Sequence, residues 1–523
     1  MIFLKKYIAI FISLFLLVYY IIVAWMIHRT GYEHSEAMFI SEKIKLLFEA
    51  DENTLLTIGT TFPTLVFLSG IIFSPFGYPF APILASIAYT TILFFLLLND
   101  FTKSKLPRRV FVPMLILIFV FHPGIVFSAV SGRGVASILL FFYLLFRSLF
   151  RYYRSQTSYY LSMASIFLSC LIFCDYNYIW LLLAFFPFIF LISLEGLKLQ
   201  KDQPPILQYF TALNNTSQRR KLANRTIAIY IIVFLLPFGA LYLFKTLNYY
   251  HAGNATYFLS SQYANWHVTG NVSVGNLIVS GAVFNVAEQT QIVFQAYILL
   301  LTPLLILLFF MFKGTLYELF TLLAPFILIS IILLDNQVYI TIEYYLIFLI
   351  LALLGIIVYA GRKYKTKFLY PVIMATAILN IFSGIFYFKR SSDREEKQFF
   401  NSIKKISKWK DERQTSEEYQ LASYISDITD ETHKILMDDA AAYKIMAHLR
   451  TLKTVISPNR NNFITIVENP KSGARFICVA KDVNRLRSFT VLNDYNIHQM
   501  ELRQEFHPVL MFETKNWAIY KIT

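Results

Sequence analysis

Charged residues are scarce in this chain, and their scarcity limits the kinds of protein it can be. Only 15% of the 523 residues are Asp, Glu, Lys or Arg. A soluble globular chain carries about 25% of these residues. Hydrophobic residues make up 57% of the chain, with 51 Phe and 34 Tyr. This composition excludes an ordinary soluble protein and is typical of a chain that crosses a membrane, where aromatic side chains occupy lipid-facing and interfacial positions.

Cysteine is also rare, which excludes a disulfide framework. The chain has three cysteines. Cys170 and Cys174 are spaced for one face of a helix, where a disulfide does not fit, and Cys478 is alone, so we expect free packed thiols. No zinc-binding or P-loop spacing is present. The net charge of +15 comes from Lys and Arg in loops between apolar runs. Such charges set orientation in a membrane, so no nucleic-acid partner is expected.

Twelve apolar runs are candidates for membrane helices, since a crossing needs about 20 residues. The first run follows Lys5-Lys6 and is longer than the apolar region of a cleavable signal, so we expect an uncleaved helix. The runs are 7–28, 57–75, 80–99, 110–128, 134–150, 158–176, 178–195, 226–244, 291–312, 317–334, 342–360 and 368–388.

Loop charges predict which side of the membrane each loop occupies. The loops 100–109, 196–225 and 361–367 are rich in Lys and Arg, as is the N-terminus, so all are expected in the cytoplasm. The segment 29–56 is acidic, and 246–290 contains no Lys or Arg, so both are expected outside.

One of the first three apolar runs cannot cross, because a cytoplasmic N-terminus and a cytoplasmic 100–109 loop require an even number of crossings between them. The run 57–75 is the least apolar, with several Thr residues, Pro63 and Gly70. We assign it to the outer surface, which leaves eleven crossings and an extracytoplasmic C-terminus. The alternative is that 57–75 crosses and a later run does not.

The predicted fold class is therefore a polytopic α-helical membrane protein with a C-terminal extracytoplasmic α/β domain. Residues 1–390 form the transmembrane domain, with a large first outer loop at 29–79 and an outer loop at 246–290. A charged, solvated linker covers 391–415, and the α/β domain covers 416–523. Within this domain the pattern predicts helices at 417–428 and 440–449 and strands at 434–437, 454–456, 475–480, 509–512 and 517–522. Asp438-Asp439 is interpreted as a helix cap, with a functional site as the alternative.

Several polar residues on the expected outer face are candidates for chemistry. Apolar spacing from Met38 to Phe48 predicts an amphipathic helix along the membrane surface. Glu36 precedes it, either as an acid favoured by the helix dipole or as a functional carboxylate. Arg133, in Val-Ser-Gly-Arg-Gly at the start of a helix, suits a phosphate. Glu343 lies near a predicted membrane boundary, where acids are functional candidates. An interfacial anchor is the alternative for each.

The order of these features resembles the GT-C class of integral-membrane glycosyltransferases, which use polyprenyl-phosphate-linked sugars. Residues 35–39, Ser-Glu-Ala-Met-Phe, are similar to the acidic motif in the first outer loop of that class. Phe62-Pro63 is similar to its proline segment, and Phe76-Gly77 precedes the next spanning helix. An outer His122-Pro123 follows. Unlike many members, this chain has Ser35 in place of Asp, and it lacks a second carboxylate at the outer end of the third spanning helix.

The resemblance implies an inverting bacterial glycosyltransferase of the plasma (inner) membrane. It would move a sugar from a polyprenyl-phosphate donor to a glycan, lipid or protein acceptor on the outer face, in contact with membrane lipid. A carboxylate would accept the acceptor proton and a cation would stabilise the leaving phosphate. The implied residues are Glu36, Asp51 and Glu52 for catalysis, and Arg133, Arg29, His251, His267 and Glu343 for substrate binding.

Other functions remain open at this stage. A divalent metal held by outer carboxylates is left open, although no metal-binding spacing indicates one. A polysaccharide polymerase or ligase would also handle lipid-linked glycans. A lipid-linked-glycan transporter or flippase would be indicated by internal repeats or paired broken helices, and the sequence shows no repeat. A non-catalytic envelope scaffold is the remaining alternative.

Overall fold

A bundle of helices forms most of the chain, and a small mixed domain follows it. The computed structural model describes residues 2–50, 52–104, 107–196, 214–269, 298, 300–311, 322–336, 341–360, 369–391, 393–406, 412–481, 492–493, 497 and 507–522. The helices up to residue 196 are α1 Ile2–Arg29, α2 Ser35–Glu49, α3 Thr54–Thr60, α4 Thr64–Phe73, α5 Ala81–Lys103, α6 Arg108–Phe121, α7 Pro123–Val130, α8 Val135–Ser155, α9 Ser158–Cys174, α10 Leu181–Ala184 and α11 Phe186–Gly196.

The remaining helices complete the bundle and continue into the C-terminal domain. They are α12 Thr216–Ala252, α13 Tyr257–Ser260, α14 Asn265–Val268, α15 Pro303–Met311, α16 Ala324–Asn336, α17 Ile342–Ala360, α18 Leu369–Arg390, α19 Arg394–Lys405, α20 Glu417–Ile428, α21 Asp439–His448 and α22 Phe463–Glu468. Short 3-10 turns cover Ser74–Phe76, Tyr78–Phe80, Tyr176–Trp180, Arg413–Thr415 and Pro470–Ser472.

The apolar helices make the chain a polytopic membrane protein. Within the described residues, six helices are long and apolar enough to cross a membrane, and the number rises to eight if each of two bent helix pairs is one span. The predicted runs 291–312 and 317–334 are described only in part, and the loop 361–367 and the outer loop beyond Thr269 lie outside the described residues. Eleven crossings and the orientation of the termini therefore stay predictions.

The apolar run 57–75 contains two short helices, α3 and α4, instead of one continuous span. The apolar helix that continues from Thr64 ends at Phe76, well short of the about 20 residues needed for a crossing. Its assignment to the outer surface is consistent with this length. The run 110–128 is also broken: α6 and α7 meet at an angle of 62°. The break follows from Pro123, because the residue before a proline disfavours helical geometry, and His122 has ψ of 114°.

Helix α2 is the predicted amphipathic helix, but it is packed inside the protein rather than laid on lipid. Ten of its 15 residues are buried. On one side Ile40 and Ile44 pack with Phe67 of α4, and on the other Phe39 contacts the ring of Tyr443 in the C-terminal domain. The helix therefore joins the bundle to the C-terminal domain.

The C-terminal domain is a small α/β unit, as predicted. Its sheet has five strands in the order β2-β1-β3-β5-β4. The strands are β1 Ile435–Leu436, β2 Val455–Ile456, β3 Phe476–Ala480, β4 Pro508–Glu513 and β5 Trp517–Ile522. Strands β2, β1 and β3 are parallel, whereas β5 is antiparallel to both β3 and β4. Alternate residues pack on opposite faces of the sheet: Cys478 belongs to one apolar cluster, and Ile477 and Val479 belong to the other.

The cysteine prediction is confirmed, and the linker prediction is corrected. All three cysteines are free, and Cys478 is buried in the sheet. The expectation of a solvated linker is wrong for α19, where Glu396 and Phe399 are both 0% exposed. Apolar residues of α19 pack on the bundle: Phe399 contacts the rings of Tyr32 and Phe127.

Candidate functional site

Glu36 lies at the start of α2, as the sequence predicts, but its carboxylate does not cap the helix. The N-cap is His34, whose Nδ1 accepts from the backbone N–H of Glu36 at 3.2 Å. This leaves the Glu36 side chain to reach the turn between α7 and α8. There its Oε1 accepts from Gly134 N at 3.2 Å, and its Oε2 lies 3.6 Å from Arg133 Nε.

The Gly-Arg-Gly turn approaches α2 closely because it lacks two β-carbons. Gly132 has φ of +74°, which favours glycine, and a Cβ there would lie 2.8 Å from Cβ of Ala37. A Cβ on Gly134 would lie 2.8 Å from Val66. Larger residues at either position would push the turn away from α2, and Arg133 with it. The two glycines therefore explain how Arg133 reaches Glu36.

Arg133 is shared between two carboxylates from distant parts of the chain. Its Nη2 lies 3.2 Å from Oε2 of Glu343, in the first turn of α17. The other oxygen of Glu343 accepts from the hydroxyl of Tyr178 at 2.9 Å. The side chains are largely shielded from solvent: Arg133 is 19% exposed, Glu36 16% and Glu343 7%. We call Glu36, Arg133, Glu343 and Tyr178 the carboxylate–arginine cluster.

The environment of Glu36 makes it more basic than an ordinary glutamate. Burial raises the pKa of Glu36, and the negative charges of Glu343 and Glu395 raise it further. Arg133 and the Gly134 N–H oppose this by stabilising the charged form. The net effect is an upward shift, which suits a carboxylate that accepts a proton near neutral pH.

Two adjacent acids of α19, Glu395 and Glu396, bind the residues that immediately precede Glu36 and Glu343 in the chain. Glu395 accepts from the backbone N–H of Ser35 at 2.9 Å and also from the Ser35 hydroxyl. Glu396 Oε1 accepts from the backbone N–H of Ile342 at 2.9 Å. One helical segment therefore fixes the starts of α2 and α17, and with them Glu36 and Glu343. Neither acid is among the site residues that the sequence predicts, although the acidic run after the last span is a signal.

His34 connects Glu36 to Glu395 as a neutral hydrogen-bonding group. Burial lowers the pKa of His34 to about 4, so the ring is neutral at physiological pH. Since Nδ1 accepts from Glu36 N, the proton belongs on Nε2, which lies 3.0 Å from Oε2 of Glu395. Burial alone would raise the pKa of Glu395, but His34, Lys444 and the Ser35 donors together lower it. Glu395 therefore stays charged.

The other predicted site residues make their contacts elsewhere. Glu52 is engaged with the C-terminal domain, where its Oε2 accepts from Asn461 N at 3.1 Å. The guanidinium of Arg29 lies 4.1 Å from the ring centre of Trp25. His251 lies at the end of α12 beside Gly59, and His267 lies in α14. Asp51 is outside the described residues. The structure thus brings together Glu36, Arg133 and Glu343 from the predicted set.

The described residues contain no group of three or more His, Cys, Asp or Glu side chains arranged to hold a metal ion.

Comparisons with known proteins find similarity among solved structures. No protein-family model matches the chain, and no curated protein matches it. Among solved structures it is similar to the crystal structure of ArnT from Cupriavidus metallidurans bound to undecaprenyl phosphate. The alignment covers 96% of this chain and 97% of that chain, with 9% identity and a TM-score of 0.49. The chain is a polytopic helical membrane protein with a small C-terminal sheet.

Proposed function

We propose that this chain is a membrane glycosyltransferase that moves a sugar from a polyprenyl-phosphate donor to an acceptor hydroxyl. The sequence resemblance supplies the substrate class. The observation that supports the chemistry is the carboxylate–arginine cluster: a half-buried base and a half-buried cation lie within 3.6 Å of each other. Transfer needs one group of each kind, because a proton must leave the acceptor while negative charge develops on the leaving phosphate.

The proposed step balances with these groups alone. The acceptor oxygen forms a bond to the anomeric carbon from the face opposite the phosphate, and the bond from that carbon to the phosphate oxygen breaks. The bonding electrons leave with the polyprenyl phosphate, and Glu36 takes the acceptor proton. Arg133 stabilises the phosphate. A guanidinium carries five N–H donors, so its contacts with two carboxylates leave donors for a phosphate oxygen.

The test compares Glu36→Gln with Glu52→Gln in membranes supplied with a panel of polyprenyl-phosphate sugars. Sugar transfer and release of polyprenyl phosphate are measured together. We expect Glu36→Gln to lower transfer by about 10²–10⁴-fold, the usual contribution of a general base. Glu52→Gln is the matched control and should transfer sugar normally, because the hydrogen bonds described for Glu52 go to Asn459 and Asn461 of the C-terminal domain.

Near-normal transfer by Glu36→Gln at normal expression would remove Glu36 from the mechanism. Absence of transfer by the wild type with every donor would count against the proposed function as a whole. Movement of the intact donor across the membrane, without bond cleavage, would favour a transporter instead.

A further inference from the structure

A second polar cleft lies beside α2, between the bundle and the C-terminal domain. It is open to solvent and encloses about 540 Å³ of empty space, including the part that faces solvent. Its lining includes Phe39, Lys43, Thr60, Tyr257, Tyr263 and Asp439. We call this space the interdomain cleft.

The interdomain cleft shares a helix face with the carboxylate–arginine cluster. Phe39 and Lys43 follow Glu36 by three and seven residues, which places all three side chains on one side of α2. Seven residues of helix advance about 10 Å. This separation exceeds the width of one sugar ring. A molecule that reaches both places must therefore be longer than a monosaccharide.

Asp439 gives the cleft a buried acceptor atom that none of the described residues satisfies. Asp439 is 4% exposed, and its Oδ2 binds Lys43 Nζ at 2.7 Å. Its Oδ1 is buried, and no described residue donates a hydrogen bond to it. The preceding residue, Asp438, accepts from Ala440 N and so caps α21, which leaves Asp439 without a capping role. An unpaired buried acceptor is costly, so a donor hydroxyl from a ligand at this position would be stabilising.

The charge balance of the cleft favours an uncharged ligand. Burial raises the pKa of Glu42 to about 8, so Glu42 is mainly protonated at neutral pH. The adjacent Lys43 and Asp439 then form an electrically balanced pair. This differs from the carboxylate–arginine cluster, where a phosphate can meet a guanidinium. No excess of positive charge is present among these three residues to attract an anion.

The walls of the cleft are aromatic and hydroxylated, which suits a sugar. The cleft is lined by the rings of Tyr257 and Tyr263 and, from α2, by that of Phe39. Flat rings can cover the CH faces of a sugar, while Thr60 and the Tyr hydroxyls can exchange hydrogen bonds with its hydroxyl groups. Burial raises the pKa of Tyr263, as do the nearby Asp438 and Asp439, so its hydroxyl keeps its proton.

We propose that the interdomain cleft binds an uncharged sugar residue of the acceptor, so that the acceptor is a glycan longer than one sugar. That the bound glycan is the acceptor rests on the proposed function, whereas the binding of a sugar to the cleft does not. We assign a role in substrate choice to Tyr263, Tyr257 and Asp439, which lie outside the carboxylate–arginine cluster.

The experiment measures binding of the purified full-length protein to an immobilised series of bacterial envelope oligosaccharides of increasing length. The series includes neutral and phosphorylated members. We expect binding to neutral oligosaccharides and weaker binding to monosaccharides. Tyr263→Ala should weaken binding roughly tenfold, the loss of one ring contact. Tyr257→Ala is the second variant, in case the first is poorly folded, and should also weaken binding. Tyr250→Ala is the matched control, because Tyr250 is 78% exposed and lies outside the cleft.

Glu36→Gln separates this inference from the proposed function. It should bind oligosaccharides like the wild type while losing sugar transfer. Cleft-dependent binding without any transfer by the wild type would support the cleft and contradict the proposed function. The proposal for the interdomain cleft would be overturned if the folded Tyr263→Ala and Tyr257→Ala proteins transferred sugar normally, with unchanged oligosaccharide binding and an unchanged acceptor KM. Binding restricted to phosphorylated members, or no binding by the wild type, would also overturn it.

Discussion

Arg133 is placed between two carboxylates, and this arrangement determines how the site responds to charge. If all three groups are ionised, Glu36, Glu343 and Arg133 carry one net negative charge in a shielded environment. Removing such charges from water is unfavourable. It destabilises most the charged form of the group whose contacts offset the lost hydration least. The upward shift of the Glu36 pKa is the expected consequence. A donor phosphate beside Arg133 would add negative charge, raising the pKa of Glu36 further and making it a stronger base.

The raised pKa of Glu36 predicts the acidic side of the pH profile. The base must be deprotonated to act, so kcat/KM should fall as the pH drops below the pKa of Glu36. Because that pKa is raised above its ordinary value of 4.5, the fall should begin at a higher pH than for an ordinary glutamate. Measuring kcat/KM for sugar transfer against pH checks this, with thermal stability followed over the same range to exclude acid unfolding. A flat profile down to the ordinary value would contradict it.

Gly132→Ala tests whether the close approach of the turn is needed for activity. Its positive φ makes any side chain unfavourable by about 1–2 kcal/mol, and the new Cβ would also collide with Ala37. We expect lower stability and a loss of sugar transfer, because Arg133 moves away from Glu36. Gly253→Ala is the control: Gly253 has φ of +70° but nothing within 4 Å of an added Cβ. It should lose stability yet transfer sugar normally. Equal activity of the two variants would show that the approach is unimportant.

At the scale of elements, α19 positions the site without contributing to its chemistry. Its Asp393 accepts from the backbone N–H of Glu395 at 2.7 Å, which starts the helix. The two following acids then reach Ser35 and Ile342. Glu396 Oε2 also accepts from Ser391 Oγ at 2.5 Å. A rearrangement of α19 would therefore displace both site carboxylates together.

Glu396→Gln tests this positioning role. The amide keeps the shape but weakens the acceptor for Ile342 N, so α17 and Glu343 should shift. We expect kcat to fall by roughly tenfold, or about 1.4 kcal/mol, with a smaller change in donor KM. Glu431→Gln is the matched control, because Glu431 is exposed. A change in donor KM alone, with kcat unchanged, would argue against positioning and for direct donor contact.

Local patterns predicted elements well where one residue type dictates the geometry. Helix α20 covers residues 417–428 as predicted, because Ser416 caps it and apolar residues recur at helical spacing. The strands of the C-terminal domain also lie where short apolar runs in the sequence predict them. The burial of Glu396 could not be predicted from the sequence, because a charged residue is expected to be exposed to solvent when its partner is not known. Its partner, the Ile342 N–H, is 54 residues away and is brought near only by the packing of the spans.

At the scale of the molecule, the C-terminal domain is joined to the first loop of the bundle by polar contacts between the two ends of the chain. Lys43 binds Asp439, and Lys45 donates to the carbonyl of Leu449. Glu33 lies 2.9 Å from Nε2 of His448. The partners are about 400 residues apart in sequence, so their meeting depends on topology. Sequence patterns identified the acids of this loop but not which of them would be engaged in docking.

Lys43→Ala should destabilise the whole molecule by uncoupling the domain from the bundle. Lys43 is 12% exposed and Asp439 4%, so removing the lysine leaves a buried carboxylate unpaired. We expect a loss of about 3 kcal/mol. The control is Lys405→Ala, whose pair with Glu412 is 49% and 33% exposed and should contribute below about 1 kcal/mol. Thermal unfolding of both proteins in detergent provides the comparison. Equal midpoints would show that the buried pair does not couple the two parts.

We propose that the donor phosphate and the acceptor hydroxyl meet at the carboxylate–arginine cluster. The most direct measurement is an experimental structure of Glu36→Gln in a lipid nanodisc with a polyprenyl-phosphate sugar, where the variant preserves the bound donor. We expect density for the phosphate within hydrogen-bonding distance of the Arg133 guanidinium, with the anomeric carbon facing residue 36. Phosphate density at another place, with the cluster unchanged and no donor beside Arg133, would contradict it.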